Sequence, residues 1–599
     1  MSAVTEAPRW DMTPYFPSLQ SAEFEQEFAS LKEATAQLGV LLNHHQIGPD
    51  SPGRTPEQTA EVFDEVTVGM NTLTERMRLV GAYIAGFVTT DSRDTLAQAK
   101  ESELQLVGSD LAKLNTRLTA WLGTVDVEAL ILKSGVAESH SFAVRKAHRL
   151  ARHQMSMPEE MLAAELKLSG STAWAKLHGN VTSQLEVTLE IGGRTETIPM
   201  SSVRNYAMDS DRSVRKAAYD AELDAWSQVD VILAASMNGI KGESLTLLQK
   251  RGWNSPLDEA CFTAHMSRQA LDAMMSAAKK SFPDFRRYLD AKARKLGIPG
   301  GKLAFYDMFA PIGASSRAWD YQEACDFVAE QFGTYSSKLR EFAERSYREN
   351  WIDVAPRPGK RDGAFCMGTR GDESRVLLNY VPSFKWVSTL AHELGHAYHN
   401  VCMATRTPYQ KQTPMTLAET ASIFCETIIK KGALQTASPE EKLDILETSL
   451  MGACQVVVDI SSRYLFEEAV FNQRKQRELS PQELCELMTW SQKETYGDGL
   501  DSNALHPYMW AAKPHYYGRA FYNFPYMFGL LFGLGLYAQY QAEPDAFRSN
   551  YDDLLSSTGM DDAASLGRRF GIDIESEEFW AQSLQVVRQD IDEFEQLTR

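Results

Sequence analysis

The alternation of apolar and polar positions along the chain is mostly that of amphipathic helices. Between residues 21 and 43, apolar side chains recur every three or four positions, which is the spacing of one buried helix face. A Gly- and Pro-rich break at 48–53 follows, and Thr55-Pro-Glu-Gln58 has the residue types of a helix start with a capping box. Two further long patterns, interrupted near 89–92, reach about residue 122. Together they predict antiparallel helices packed side by side.

One stretch in the first half departs from the helical period. Residues 185–191 and 194–199 are rich in β-branched side chains and flank a Gly-Gly pair, which predicts a β-hairpin with a glycine turn. Helical patterns resume at 211–219 and dominate to about residue 296.

The run 521–540 is almost as long as a membrane span, which takes about 20 residues. It contains Asn523, Pro525 and Gln539 as well as three glycines, and no basic cluster flanks it. A helix buried in the protein core is therefore favoured over a membrane span, and we expect no membrane partner.

Composition narrows the class of protein. The chain has 599 residues, 43% hydrophobic and 24% charged, which is typical of a globular protein with ample core. Its net charge of −19 argues against nucleic acid as a partner, because phosphate binding needs clustered Lys and Arg. The seven cysteines are scattered and form no CxxC pair, as expected for reduced thiols. The first ten residues lack a charged segment followed by an apolar one. We therefore expect no secretion signal and a cytoplasmic location.

The stretch 391–399, Ala-His-Glu-Leu-Gly-His-Ala-Tyr-His, has the residue types of a metal site. His392 and His396 are four residues apart, so on a helix they project from one face and can share a zinc ion. Glu393 is next to the first histidine and is placed to act as a general base. Apolar residues at helical spacing precede the motif, and Ser383 is a plausible N-cap.

Two short β-like runs, 363–367 and 375–380, precede this helix in the chain. They either pack beneath it as a hairpin or present an open strand edge to an extended peptide.

A catalytic zinc normally has three protein ligands and one exchangeable water. His399 is about 10 Å along the helix axis from His392, too far to share an ion with bonds of about 2 Å. The longer HExxHxxGxxH motif is also excluded, because position 402 is Cys. The third ligand must come from another element. Glu419 and Glu426, seven apart on one predicted helix face, are the candidates, and whichever does not ligate would orient a histidine.

Residues 392–399 followed by 417–422 resemble two motifs of the M3 (thimet oligopeptidase-like) metallopeptidases, in particular their oligoendopeptidase F branch. Three further segments are similar to that family: 306–311, 359–366 and 515–522. The likeness is specific over about 300–530 and weaker upstream, where 211–219 is typical of the family.

The resemblance implies one zinc ion per chain. In this family the glutamate of the second motif is the third zinc ligand, which selects Glu419 to join His392 and His396. Relatives also use a histidine and a nearby tyrosine from a C-terminal loop to stabilise the oxyanion, and we assign these roles to His515 and Tyr522. Other tyrosines in the same stretch are alternatives to Tyr522: Tyr516, Tyr517 and Tyr526.

The resemblance also implies the fold and the substrate. We expect a mainly α, two-lobed helical metallopeptidase fold with a small β-element beside a deep substrate channel. Residues 1–195 would form an N-terminal helical domain ending in the hairpin, and 196–599 the zinc peptidase domain. The activity would be zinc-dependent hydrolysis of internal bonds in short, unfolded oligopeptides. Rival interpretations are a helical binding protein with a vestigial site and an aminopeptidase, although no Gly-x-Met-Glu-Asn motif is present. The oligomeric state is left open.

Overall fold

The computed structural model describes residues 7–191, 193–313 and 317–599. Helices dominate these ranges, so the mainly α fold class is confirmed. Up to residue 250 the α-helices are α1 (Ala22–His44), α2 (Pro56–Val88), α3 (Thr95–Leu122), α4 (Val127–Lys133), α5 (Gly135–Ser139), α6 (Ser141–Ala151), α7 (Met157–Ser169), α8 (Ser171–Gln184), α9 (Met200–Val203) and α10 (Arg212–Lys250).

The remaining helices and the strands follow in chain order. The helices are α11 (Pro256–Thr263), α12 (Arg268–Lys295), α13 (Tyr321–Tyr335), α14 (Ser337–Arg348), α15 (Phe384–Cys402), α16 (Met415–Ala418), α17 (Thr420–Thr436), α18 (Pro439–Cys454), α19 (Ile460–Arg474), α20 (Pro481–Tyr496), α21 (Met509–Ala512), α22 (Phe524–Ala542), α23 (Pro544–Ser556), α24 (Ala563–Arg569) and α25 (Glu577–Leu597). The strands are β1 (Glu186–Ile191), β2 (Arg194–Pro199), β3 (Ile352–Asp353), β4 (Phe365–Gly368) and β5 (Ser374–Leu377).

The first six helices form a bundle with a core of its own. α1 begins after Ser21, whose hydroxyl accepts a hydrogen bond from the Phe24 N–H. α2 begins with the predicted capping box, in which Thr55 and Gln58 satisfy each other's backbone N–H groups. Buried apolar side chains from α1 to α6 pack into one cluster. The predicted boundaries of α1, α2 and α3 are thus confirmed to within a few residues.

The predicted hairpin is present and joins a second core. β1 and β2 pair antiparallel, with Glu186 opposite Pro199. Gly193 has φ +76°, a conformation that glycine adopts without steric cost. Val187 and Leu189 are buried in a cluster that also contains side chains of α10 and of residues 466–517. The hairpin therefore shares its core with helices beyond residue 195, and the domain boundary placed there stays a prediction.

A three-stranded sheet packs against α15. β4 pairs antiparallel with β5, in agreement with the two predicted β-like runs, and β3 pairs parallel with the other side of β5. β3 is only two residues long, too short to give a period-2 pattern, so the sequence analysis missed it. β5 is fully buried, whereas β4 is half-buried at the edge of the sheet.

The largest core spans residues 257–594 and holds α15, α17 and α22 together. A methyl group added at Gly395 of α15 would lie 2.6 Å from Ser422 Cα. One added at Gly529 of α22 would lie 2.8 Å from Glu419 Cβ. Real Cβ atoms do not approach so closely in a close-packed interior, so these backbones meet only because glycine stands at both positions. The contacts bring α15, α22 and the start of α17 to one place.

The apolar run 521–540 forms most of α22. Phe528, Leu531 and Phe532 are fully buried in the largest core, so the prediction of a core helix is confirmed. Among the described residues, none of the helices combines the length and the hydropathy that crossing a bilayer requires.

Candidate metal centre and active site

α15 presents the three residues of the predicted metal motif. Its apolar face is completely buried, with Val387, Leu390 and Leu394 at 0% exposure, and this fixes the rotation of the helix. The rings of His392 and His396 then lie side by side, with centroids 4.9 Å apart. Ser383 occupies the N-cap position as predicted, but its hydroxyl makes no capping hydrogen bond.

Glu419 completes the donor set from another element. Its Oε2 lies 3.3 Å from His392 Nε2 and 3.4 Å from His396 Nε2, and these three donor atoms lie within 4.8 Å of one another. Ser422 Oγ donates a hydrogen bond of 2.6 Å to the same carboxylate oxygen. Two imidazole nitrogens and one carboxylate oxygen are a donor set that Zn²⁺ prefers.

Glu419 does not lie on a continuous helix with Glu426, as the sequence analysis assumed. It is the residue between α16 and α17, with φ −87° and ψ 6°, and α17 begins only at Thr420. The break coincides with close packing against Gly529, which holds the Glu419 stem beside α22. At this break the carboxylate lies beside the two histidines.

Glu426 contacts His392 from the other side of the ring. His392 Nδ1–H donates to Glu426 Oε2 at 3.1 Å, and Ser388 Oγ donates to Glu426 Oε1 at 3.1 Å. A carboxylate on Nδ1 fixes the proton there and leaves Nε2 with a free lone pair for a metal. The two glutamates that remained open from spacing alone are therefore on opposite nitrogens of one imidazole.

Glu393 is buried beside this group, at 6% exposure. Its Oε2 has no hydrogen-bond partner among the described residues, and burial raises the pKa of its carboxyl. A buried carboxylate oxygen without a partner is costly. Together with Glu419 and Glu426 it makes the surroundings of the two imidazoles strongly anionic, so the residues present fit a divalent cation.

His399, which the helix rise had excluded as a ligand, is bound elsewhere. Its Nε2 lies 3.0 Å from the Leu555 carbonyl and 2.9 Å from Thr558 Oγ1. Burial lowers the pKa of this imidazole to about 4. A neutral imidazole engaged on α23 and the turn after it supports the packing of α15.

His515 and Tyr522 lie together at the C-terminal aromatic loop. Their rings stack with centroids 5.1 Å apart and planes 18° apart, and Tyr526 OH donates to Tyr522 OH at 3.2 Å. Burial, Tyr522 and the Glu419 carboxylate all raise the pKa of Tyr526, so the charge of Glu419 reaches this loop. Burial and the cations Arg463 and Lys513 lower the pKa of His515.

Two of the alternative tyrosines belong to the protein core. Tyr517 stacks on His178 with ring centroids 3.8 Å apart, and Tyr516 packs on Phe466 with centroids 5.1 Å apart. Both are at most 3% exposed. Of the four tyrosines considered, Tyr522 and Tyr526 are the partly exposed ones, and Tyr526 lies one helical turn before Gly529, whose backbone contacts Glu419.

Two serines that no sequence motif singled out bond the glutamates. Ser388 is four residues before His392, and Ser422 is three residues after Glu419. Both spacings correspond to one helical turn, so a search for hydroxyls one turn from each candidate ligand would have found them.

Comparisons with known proteins agree on one family. The sequence model described as peptidase family M3 matches residues 205–586. Oligopeptidase PepF of Bacillus subtilis (strain 168) is 21% identical over 100% of this chain and 88% of its own length. Group B oligopeptidase PepB of Streptococcus agalactiae is 23% identical over 100% of this chain and 98% of its own.

Two solved structures share the fold. A crystal structure from Chlamydophila abortus superimposes with a TM-score of 0.84 at 21% identity, covering 98% of both chains. Oligoendopeptidase-F from Enterococcus faecium superimposes with a TM-score of 0.70 at 17% identity, covering 96% of this chain and 98% of its own.

The geometry distinguishes the two glutamates in a metal titration. We expect Glu426→Ala to weaken zinc affinity by about 10–100-fold, the usual effect of losing a group that orients a ligand. Glu419→Ala should weaken it further, because a donor atom itself is lost. Competition with a chelator measures both, and Glu494→Ala, an exposed residue of α20, is the control. Equal or reversed losses would mean that Glu426 is the ligand.

Proposed function

The chain belongs to peptidase family M3, and on that basis we propose that it is a zinc-dependent endopeptidase that hydrolyses internal bonds of short, unfolded oligopeptides. One observation carries the proposal. The donor atoms of His392, His396 and Glu419 lie within 4.8 Å of one another, beside the buried and unpartnered oxygen of Glu393.

His392 Nε2, His396 Nε2 and Glu419 Oε2 would hold one zinc ion per chain. When bound, zinc supplies Lewis acidity, which polarises a carbonyl group and lowers the pKa of water. Glu426 and Ser422 keep the ligands in orientation by the hydrogen bonds that they make to His392 and Glu419. The side chains of the three ligands are each about a quarter exposed, at 25%, 24% and 22%, so the site is recessed but open to a substrate.

Glu393 moves the protons of the reaction. Its Oε2, unpartnered within the described residues, accepts a proton from the attacking water and later returns it to the leaving amine. A carboxyl whose pKa is raised by burial is a better proton acceptor than an ordinary surface glutamate.

His515 and Tyr522 donate hydrogen bonds to the oxyanion that develops on the scissile carbonyl. The Tyr522 oxygen already accepts a hydrogen bond from Tyr526, so its own O–H is left to point at the substrate. The stacking of the two rings holds both donors on one side of the site.

A cavity beside the aromatic loop supports the proposed substrate class. Tyr522 and Met415 line this cavity of about 410 Å³ together with residues of α10 and α11. An extended strand fits between such walls, whereas a folded domain would first have to unfold, at a typical cost of about 5–15 kcal/mol.

A cytoplasmic location completes the proposal. All seven cysteines are free thiols, and four of them are buried. Unpaired thiols in this number are typical of a reducing compartment.

Replacing the base should separate metal binding from catalysis. We expect Glu393→Gln to keep its zinc, since all three ligands remain, and to lose hydrolysis of an N-terminally blocked peptide by several orders of magnitude. Zinc content and product formation are measured on the same sample. Activity within about tenfold of wild type would contradict the role of Glu393. Cleavage of the blocked peptide by wild type also excludes an aminopeptidase and a vestigial site.

Removing single hydrogen-bond donors should identify the groups that stabilise the oxyanion. We expect Tyr522→Phe and His515→Ala each to lower kcat by about 100–1,000-fold with a smaller change in KM. Tyr517→Phe removes a hydroxyl from the buried core and serves as the matched control, with little change in kcat. A larger loss for Tyr526→Phe than for Tyr522→Phe would transfer the role to Tyr526.

The cleavage rate should depend sharply on the size and folding of the substrate. We expect efficient cleavage of blocked peptides shorter than about 20 residues, a length set by family resemblance and strand reach. A stably folded domain that contains the same sequence in a buried strand should be almost untouched. The two are incubated with the protein and products are identified by mass spectrometry. Comparable rates would show that the site is open to folded proteins.

A further inference from the structure

A second cavity, of about 230 Å³, adjoins the aromatic loop. Its walls are α10, residues 305–309, the start of α19 and the segment 506–513. One wall includes the π-helical turn Gln455–Asp459, which joins α18 to α19. Such π-turns are rare and are frequently found at functional sites.

Most of the charges in this cavity are already paired. Arg204 is 3.0 Å from Glu222, and Arg463 bonds Asp459 of the π-turn. A third arginine on this wall, Arg215, is 2.9 Å from Asp307. These pairs leave the cavity without a net charge from its arginines.

Lys513 is the exception. Among the described residues its ammonium group makes no hydrogen bond and no ion pair, and burial lowers its pKa to about 8, so it is still charged at pH 7. Three lysines that are buried elsewhere each pair with a carboxylate: Lys241 with Glu467, Lys292 with Glu447 and Lys430 with Asp590. The carboxylates of Asp459 and Glu222 raise the pKa of Lys513 from a distance, but both are already paired with arginines. A partly buried ammonium that bonds no carboxylate directly is costly, and an anionic ligand would relieve that cost.

Contacts connect this cavity to Glu419. Lys513 and Arg463 lower the pKa of His515, which stacks on Tyr522. Tyr522 bonds Tyr526, and Tyr526 lies one helical turn before Gly529, whose backbone contacts Glu419. Lys513 is two residues before His515, so their Cα atoms are at most about 7 Å apart. A group bound at Lys513 is therefore close to a peptide bond that His515 contacts.

We propose that Lys513, with Arg463 beside it, binds a carboxylate of the peptide substrate about two to four residues from the scissile bond, counted at about 3.3 Å per extended residue. This inference rests on the proposed peptidase function. A carboxylate is the anionic group that peptides carry, and an ammonium bonds it with charge assistance. The carboxylate is either that of the peptide C-terminus or that of an acidic side chain. The first source makes the protein favour cleavage near a free C-terminus.

Three blocked peptides with one cleavage site test this proposal. The first ends in a free carboxylate three residues after the scissile bond, the second is its amide, and the third is a longer amide with Glu at that residue. We expect wild type to show a kcat/KM about 10–100-fold higher for a carboxylate-bearing peptide than for the plain amide, the range of a hydrogen bond to a charged group. A preference for the first peptide identifies the C-terminal carboxylate as the bound group, and a preference for the third identifies an acidic side chain.

Lys513→Met should bring this ratio to within about twofold of one. Lys493→Met is the matched control, because Lys493 is an exposed lysine of α20 that lines neither cavity, and it should keep the wild-type ratio. Zinc content and melting temperature of Lys513→Met are measured alongside. Each ratio compares two peptides on the same variant, so it does not depend on how much of that variant is active. A ratio retained by Lys513→Met, or a wild-type ratio near one, would overturn the proposal.

A binding measurement separates this proposal from the peptidase function. The Glu393→Gln protein is titrated with the same peptides by calorimetry, with and without Lys513→Met. We expect the carboxylate peptide to bind about 10–100-fold more tightly than the amide, and the second substitution to abolish the difference. Absence of hydrolysis in wild type together with this binding preference would overturn the peptidase function alone. Hydrolysis of the plain amide with no preference would overturn the carboxylate site alone.

Discussion

The close approach of three helix backbones is the constraint on which the site depends. α15 meets α17 at Gly395, and α22 meets the Glu419 turn at Gly529, at separations that leave no room for a methyl group. A gap of even one methyl would move the Glu419 carboxylate relative to the two imidazoles, and metal bonds tolerate only a few tenths of an ångström. Packing in the largest core thus sets the metal geometry.

Burial of charge works against this arrangement. Burial raises the pKa of Glu393, whereas at Glu419 and Glu426 the hydrogen bonds with the histidines outweigh burial and lower the pKa. The loss of hydration is a cost of burying these carboxylates. The hydrogen bonds from Ser388 and Ser422 offset part of this cost, and a divalent cation would offset more. Lys513 is the reverse case. Its ammonium group forms no ion pair with the residues that the structure describes, and an anion would offset the cost of burying it.

Two cavities flank the aromatic loop, and they differ in what they offer a peptide. The cavity beside Tyr522 is lined by apolar and polar side chains, many of them from α10 and α11. The one beside Lys513 contains three paired arginines and one unpaired lysine. α10 contributes to both, so this 39-residue helix runs along the two cavities. Under the proposed function, a peptide bound along α10 would meet different chemistry in each.

Local patterns in the sequence determined the helices, the hairpin and the pair of histidines. Helix boundaries follow from capping residues and from a 3.6-residue period, and His392 and His396 share a face because the four-residue spacing guarantees it. The choice between Glu419 and Glu426 was not available from spacing, since both lie one or more turns along the same apparent helix. The family resemblance of the motif selected Glu419, and only the tertiary structure shows the two glutamates on opposite nitrogens of His392, where contact with Gly529 accompanies a break in the helix at Glu419. The short strand β3, the stacking of His515 on Tyr522 and the isolation of Lys513 have the same origin. Each depends on residues that are distant in the chain, and periodicity describes only neighbours within a few turns.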